Sequence, residues 1–95
     1  DLQEKYAWEW MESAYLWKQR AALIFQIKYR TKTNQKLLFD LVLSCADSKE
    51  FFLRKGSGWA LREYGKYAPL EVSTFVHNHE ALLSNLSVRE ALKNL

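Results

Sequence analysis

Apolar residues recur every three or four positions along most of this chain, a spacing that favours amphipathic helices over β-strands. The clearest stripe, in a helix predicted at 14–30, consists of Leu16, Leu23, Ile24 and Ile27. Further helices are predicted at 2–12, 35–46, 48–67, 69–79 and from 87 onward. No segment shows the strict alternation of a half-buried strand. The pattern therefore predicts an all-α protein of about six helices.

Polar residues and one proline mark where several of these helices should begin. Ser13, Asn34 and Ser48 stand where a side-chain oxygen could accept a hydrogen bond from the first helical turn. Pro69 suits the first turn of the fifth helix. The run Ser87-Val-Arg-Glu90 has the spacing of a capping box. We therefore expect N-caps at the four polar positions and a helix start at the proline.

The long predicted helix in the middle of the chain contains residues that a regular helix disfavours. Gly56 and Gly58 stand in its interior, where each costs roughly 1 kcal/mol relative to alanine. At about 100° per residue, Lys55, Gly58, Trp59 and Arg62 fall on one surface of this helix. An indole beside small residues and between cations could meet a polyanion that carries flat bases. Alternatively, the glycines admit a neighbouring helix, Trp59 belongs to the core and the cations are solvated. The apolar side of the helix is predicted to consist of Phe51, Phe52, Trp59 and Leu61.

Arg20 interrupts the apolar stripe of the second helix, one turn from Leu16 and Trp17. A lone charge is costly to bury, so an arginine in this position rarely lacks a partner. Two interpretations stay open, namely that Arg20 pairs with an acidic residue or that it lines a cleft.

The formal net charge of +3 hides an uneven distribution of charge along the chain. Residues 18–66 contain eleven Lys or Arg and four Asp or Glu, a balance of +7. The remaining residues carry a balance of −4. A basic middle between acidic ends fits a local anionic partner such as a phosphate backbone, or else a solvated charged face.

Composition narrows the class of protein further. Ninety-five residues make one domain at most, and no run of 18 apolar residues predicts a transmembrane helix. Cys45 is the sole cysteine and is predicted to be a small core residue. His77 and His79 diverge on a helix and have no ligand at a suitable spacing, which argues against a metal site. Phosphate-binding, dinucleotide and zinc motifs are also missing from the sequence.

A weak internal repeat becomes visible when the chain is shifted by 36 residues. Trp17-Lys18-Gln19 then falls on Leu53-Arg54-Lys55, and Leu23 falls on Trp59. Each copy reads as a longer helix, a short turn and a shorter helix, which is typical of HEAT-like helical repeats. Two copies are few for a free-standing solenoid, so we expect a part of a longer one.

Four segments carry a resemblance to a known family. They are Trp17–Tyr29, Ser48–Lys55, Gly58–Tyr64 and Leu86–Leu92. In this order they resemble the C-terminal half of the AlkD-like DNA alkylation repair enzymes. The Gly-Trp-x-Leu-Arg-Glu-Tyr block is the most distinctive of them, and the resemblance runs from about Trp10 to the end.

The resemblance implies a DNA glycosylase built from HEAT-like repeats that binds double-stranded DNA on a concave basic face. Such enzymes excise N-alkylated purines such as 7-methylguanine and 3-methyladenine, without a metal or other cofactor. By resemblance, Arg20 is the cleft arginine near the reaction centre, Trp59 an aromatic wall of the lesion cleft, and Arg62 a neighbour of the DNA backbone. We add Lys55 and Lys18 as DNA-binding candidates, Lys55 because of its position on the helix. A cytoplasmic, monomeric parent protein without a membrane partner is expected.

Two departures limit what the resemblance implies. The family's catalytic aspartate and its partner tryptophan lie upstream of the matched region, and neither Asp40 nor Asp47 aligns with them. This chain alone is therefore expected to be inactive in excision and to associate through cut surfaces. Bulkier residues usually replace Gly56-Ser57 in the family, which leaves the packing behind Trp59 open. The alternative function is a non-catalytic helical-repeat module that binds nucleic acid or a protein.

Overall fold

The computed structural model describes all 95 residues and contains six α-helices, one 3-10 helix and no strand. The α-helices are α1 (Leu2–Met11), α2 (Leu16–Ile24), α3 (Gln35–Ser44), α4 (Phe51–Gly65), α5 (Pro69–Asn78) and α6 (Asn85–Ala91). The 3-10 helix, Ile27–Lys32, lies between α2 and α3. The predicted all-α class with about six helices is confirmed. No helix of this protein combines the length and the apolar character needed to cross a membrane.

The predicted helix at 14–30 is too long at both ends. Its α-helical part ends at Ile24, and the following 3-10 helix contains Arg30 with a φ of 55°. A residue with a positive φ cannot continue an α-helix. Neither a glycine nor a proline marks this position in the sequence, so the pattern could not predict it. At the other end the helix begins two residues after the predicted start, with Tyr15 rather than Ser13 as its N-cap.

The three serine N-caps were assigned wrongly, whereas Asn34 and Pro69 occupy their predicted positions. The hydroxyls of Ser13 and Ser48 accept hydrogen bonds from the amides of Tyr15 and Glu50, each at 3.1 Å. A serine can close such a turn ahead of a helix as readily as it can cap one. The last helix is capped three residues earlier than predicted. Ser84 accepts from the amide of Ser87 at 3.1 Å, so Ser87-Val-Arg-Glu90 is not a capping box.

Helix α4 is the centre of the molecule, because α2, α5 and α6 all pack against it. Its neighbours α2 and α6 run parallel to it, since Leu16 of α2 lines a groove with Phe52 and Leu23 lines one with Ala60. Arg20 of α2 lies beside Gly56, and Leu23, one turn later, also reaches towards this glycine. At the other interface Ser87 meets Arg54, and Leu95, beyond the end of α6, reaches Gly65. This side-by-side arrangement is consistent with a helical-repeat fold, and Arg20 and Gly56 lie in the predicted 36-residue register.

Aliphatic side chains between the helices form the core. The largest fully buried ones are Leu23, Leu38, Leu41, Leu61, Val42, Val72 and Val76. Cys45 packs against this core, and burial raises the pKa of its thiol. Its position therefore agrees with the predicted role as a small core residue. Phe51 and Phe52 do not belong to this core, because their exposed fractions are 58% and 54%.

Candidate nucleic-acid interface

The structure brings four of the five predicted site residues to one open groove of about 230 Å³. Helix α2 supplies Arg20, and α4 supplies Lys55, Trp59 and Arg62. The spacing of 55, 59 and 62 places these three side chains on one side of α4, as predicted. The fifth candidate, Lys18, does not line this groove. We call this surface the Trp59 groove.

Arg20 lies over the ring of Trp59 and pairs with no acidic residue. Its guanidinium carbon lies 5.7 Å from the centroid of the indole, within the range of a cation–π interaction. The Nε atom is buried and has no hydrogen-bond partner. Of the two interpretations left open by the sequence, the acid pair is therefore wrong and the cleft is supported. Since Nε is closed to solvent, only the terminal Nη groups, which no carboxylate engages, could donate to an anion.

Helix α6 contributes Glu90 and Lys93 to the same groove. The carboxylate of Glu90 bridges two cations of α4. It accepts from Lys55 Nζ at 2.9 Å and from Arg62 Nη1 at 3.4 Å. The hydrogen bond from Lys55 lowers the pKa of the Glu90 carboxyl most, and the charges of Lys55, Lys93 and Arg62 lower it further against the opposing effect of burial. Lys55 and Arg62 are therefore ion-paired in this structure, although the Lys55 side chain remains 45% exposed.

Sequence reasoning missed this role of Glu90, which it had counted only as part of a capping box. Glu90 lies 35 residues after Lys55 and 28 after Arg62. Nothing in the local pattern of α6 indicates which cations it will meet. Only the packing of α6 on α4 brings the three charges together. The signal that could have suggested it is Gly58, because a glycine inside a helix permits a close neighbour.

Gly58 is the point at which α6 comes closest to α4. A Cβ atom added at this position would lie 2.6 Å from Glu90 Cβ and 3.3 Å from the carbonyl oxygen of Ser87. The buried hydroxyl of Ser87 also donates to the carbonyl of Arg54 at 2.9 Å. The prediction that a glycine admits a neighbouring helix is thus confirmed at this position. Trp59, in contrast, is half-buried and borders the groove rather than joining the core.

Arg20 also borders a second open groove, of about 350 Å³, together with Leu16, Trp17 and Phe52. We call this surface the Trp17 groove. The indole of Trp17 is 68% exposed. Neither the predicted apolar stripe of α2 nor the predicted apolar side of α4 indicated an exposed aromatic ring at this position. Lys18 lies beside this surface, with its ammonium 5.5 Å from the ring of Tyr15 and 5.7 Å from that of Trp17.

No three or more His, Cys, Asp or Glu side chains come together in a group that could hold a metal ion. His77 instead lies 2.8 Å from a Glu80 carboxylate oxygen. His79 Nδ1 lies 2.7 Å from the carbonyl oxygen of Phe75. The two histidines therefore make separate contacts within or beside α5.

The family model of DNA alkylation repair enzymes matches residues 1–95 of this chain. The chain belongs to this family. A solved structure described as a predicted DNA alkylation repair enzyme from Enterococcus faecalis superposes with a TM-score of 0.89 and 33% sequence identity. The match covers 98% of this chain and 43% of that one. No curated protein matches the chain significantly.

For this family member, the comparisons confirm the resemblance at the level of a DNA alkylation repair family with a helical fold. They do not extend to the roles of single residues. The assignments of Arg20, Trp59, Arg62, Lys55 and Lys18 therefore stay predictions. The geometry nevertheless separates them, because Lys18 alone lies outside the Trp59 groove.

Proposed function

We propose that the natural protein that contains this sequence is a DNA glycosylase that excises N-alkylated purines from duplex DNA. In this proposal the Trp59 groove faces the backbone at the lesion. The observation that carries it is the cation–π contact of Arg20 with Trp59 in an open groove, without any acidic partner for the arginine. Family membership supports a repair enzyme, and the basic lining supports a polyanionic substrate.

The chemistry needs little from the protein beyond charge and shape. N-alkylation places a positive charge on the purine and weakens its bond to the sugar. As that bond breaks, the base leaves as a neutral molecule and the sugar develops positive charge. Water then adds to C1′ and loses a proton, which leaves a neutral sugar. The face of Trp59 that Arg20 does not cover can stabilise the cationic sugar by cation–π attraction. This route requires no flipped-out base, in contrast to the usual glycosylase pocket.

The cations have a different task from the indole in this mechanism. Arg20 and Arg62 carry the wrong sign to stabilise a cationic sugar, but they can hold the phosphates on either side of it. A carboxylate near the sugar would complete the site, and the resemblance assigns it to the region upstream of the matched segments. Asp40 and Asp47 do not replace it. We therefore expect excision from the natural protein and not from this chain alone, which spans 43% of its solved neighbour.

The test is release of 7-methylguanine from methylated duplex DNA by the natural protein and its Trp59→Ala variant under single-turnover conditions. We expect release to slow by about ten- to thirty-fold, the effect of losing one desolvated cation–π contact. Trp17→Ala is the matched control, because it removes an exposed indole that does not line the Trp59 groove. Equal release by wild type and Trp59→Ala would refute the site assignment.

Duplex affinity should be measured on the same samples over a range of salt concentrations. We expect affinity to fall steeply with salt, because phosphate contacts dominate such binding. Salt-dependent binding without base release above the spontaneous rate would instead support a non-catalytic repeat module for nucleic acid. A flat salt response would favour a protein partner.

A further inference from the structure

We propose that Glu90 is a positioning residue of the Trp59 groove, and that its carboxylate holds Lys55 and Arg62 on either side of the indole before DNA binds. This inference rests on the proposed function. Lys55 lies four residues before Trp59 and Arg62 three residues after it, so one carboxylate that binds both cations brackets the ring. One oxygen of Glu90 faces each cation, at 2.9 Å and 3.4 Å.

Packing, rather than the cations that the carboxylate binds, fixes the base of the Glu90 side chain. The Cβ atom of Glu90 lies over Gly58, where no side chain intervenes between the helices. The hydrogen bond from Ser87 to the carbonyl of Arg54 anchors the preceding turn of α6. The Glu90 side chain is consequently only 16% exposed. Lysine and arginine have long, flexible stems, so the rigid acid orders the cations rather than the reverse.

Charge explains why this role is ordering rather than attraction. A carboxylate in a groove that meets a polyanion weakens the attraction between them. The surrounding Lys55, Arg62 and Lys93 leave the cluster net positive even with Glu90 ionised. A carboxylate already paired with two cations is also a poor stabiliser for a cationic sugar. What Glu90 supplies is a defined geometry, and preorganised charges act more strongly than mobile ones.

Glu63 offers a matched comparison on α4 itself. It also approaches Arg62, with 3.8 Å between Nε and a carboxylate oxygen, and it pairs with Lys66 at 3.0 Å. It makes no ion pair with Lys55 and links no second helix to the groove. Neutralising either Glu63 or Glu90 therefore removes one negative charge beside Arg62. Only the change at Glu90 also breaks the link between Lys55 and Arg62 on the two sides of Trp59.

The experiment compares Glu90→Gln and Glu63→Gln in the natural protein, with single-turnover release of 7-methylguanine and duplex affinity measured over a range of salt. Each variant loses one negative charge, so we expect both to bind methylated duplex at least as tightly as wild type. We expect release at saturating protein to slow on the order of ten-fold in Glu90→Gln, as for other misplaced positioning groups, and to stay unchanged in Glu63→Gln. Equal release rates in the two variants would overturn the inference.

A double-mutant cycle keeps the inference testable if Glu90→Gln affects folding. In a Lys55→Met, Arg62→Met background the bracket is already absent, so we expect Glu90→Gln to slow release no further. An undiminished loss in that background would assign Glu90 a structural role and refute the positioning role. If wild type itself releases no base, the proposed function fails and this inference fails with it. Normal release by wild type and by Glu90→Gln refutes the inference alone.

Discussion

Helix α4 has a close neighbour in α6 and a looser one in α2. At Gly58 an added Cβ would lie 2.6 Å from an atom of α6, whereas at Gly56 it would lie 3.4 Å from the nearest atom of α2. Charges follow the same division. The α6 side pairs Lys55 and Arg62 with Glu90, while the α2 side leaves Arg20 without an acid.

This difference separates two tasks within one groove. The close interface fixes the position of side chains, because its contacts involve Cβ and backbone atoms that cannot rotate away. The loose interface leaves an arginine whose only electrostatic partner is the face of an indole. In the proposed enzyme, the α6 side would therefore set the shape of the site, and the α2 side would supply the cation that is free to meet DNA.

Among substitutions that test the difference between the two interfaces, Gly58→Ala is expected to change the free energy of unfolding most. The new methyl group would overlap Glu90 Cβ, which is tied to the backbone of α6, so the two helices must move apart. We expect a loss of about 1–3 kcal/mol in the free energy of unfolding, the usual cost of overpacking. Urea denaturation followed by circular dichroism would measure it. An unchanged midpoint would mean that α6 can shift at little cost and that Glu90 is not rigidly placed.

The contrast between the interfaces shows how far the sequence could predict the structure. Some features that depend on neighbours within one turn were predictable, although the three serine N-caps were not. Asn34 caps α3, Pro69 begins α5, and helical spacing grouped Lys55, Trp59 and Arg62. These depend on backbone geometry that the local residues determine.

Features that depend on distant packing were not predictable. Periodicity placed Phe52 on the same apolar side of α4 as Leu61, but it could not indicate that Leu61 is fully buried while Phe52 stays 54% exposed. Glu90 meets its cations only through the approach of α6 at Gly58. For Arg20, the sequence correctly identified an unusual position and left its partner open. The structure supplies Trp59 as the partner, 39 positions further along the chain.

A smaller effect of the opposite sign is expected from Gly56→Ala. Its new methyl group would lie at ordinary contact distance from Arg20 Cγ and Leu23 Cδ1, at 3.4 Å and 3.6 Å. Alanine also favours the helix by roughly 1 kcal/mol over glycine. We expect the free energy of unfolding to rise by up to about 1 kcal/mol in the same urea assay. A loss as large as that of Gly58→Ala would show that the two interfaces are equally tight.

The smallest expected effect is a pH dependence of the free energy of unfolding. Only substitutions on the α6 side of α4 should alter this dependence. The pKa of Glu90 lies below its ordinary value of about 4.5 in the folded protein, chiefly because Lys55 donates a hydrogen bond to the carboxylate. A carboxyl with a lowered folded-state pKa stabilises the fold above its unfolded-state pKa, and this contribution is lost as pH falls through the folded-state value. The stability difference between wild type and Glu90→Gln should therefore be present at pH 7 and shrink below about pH 4.

Arg20→Gln provides the control for this pH series on the α2 side. Arg20 has no carboxylate partner that could be protonated, so its effect on the free energy of unfolding should be the same at both ends of the series. Urea midpoints at several pH values, followed by circular dichroism, would compare the two variants. A difference for Glu90→Gln that persists in acid would mean that this side chain stabilises the fold through packing alone. The two interfaces would then differ in closeness but not in charge.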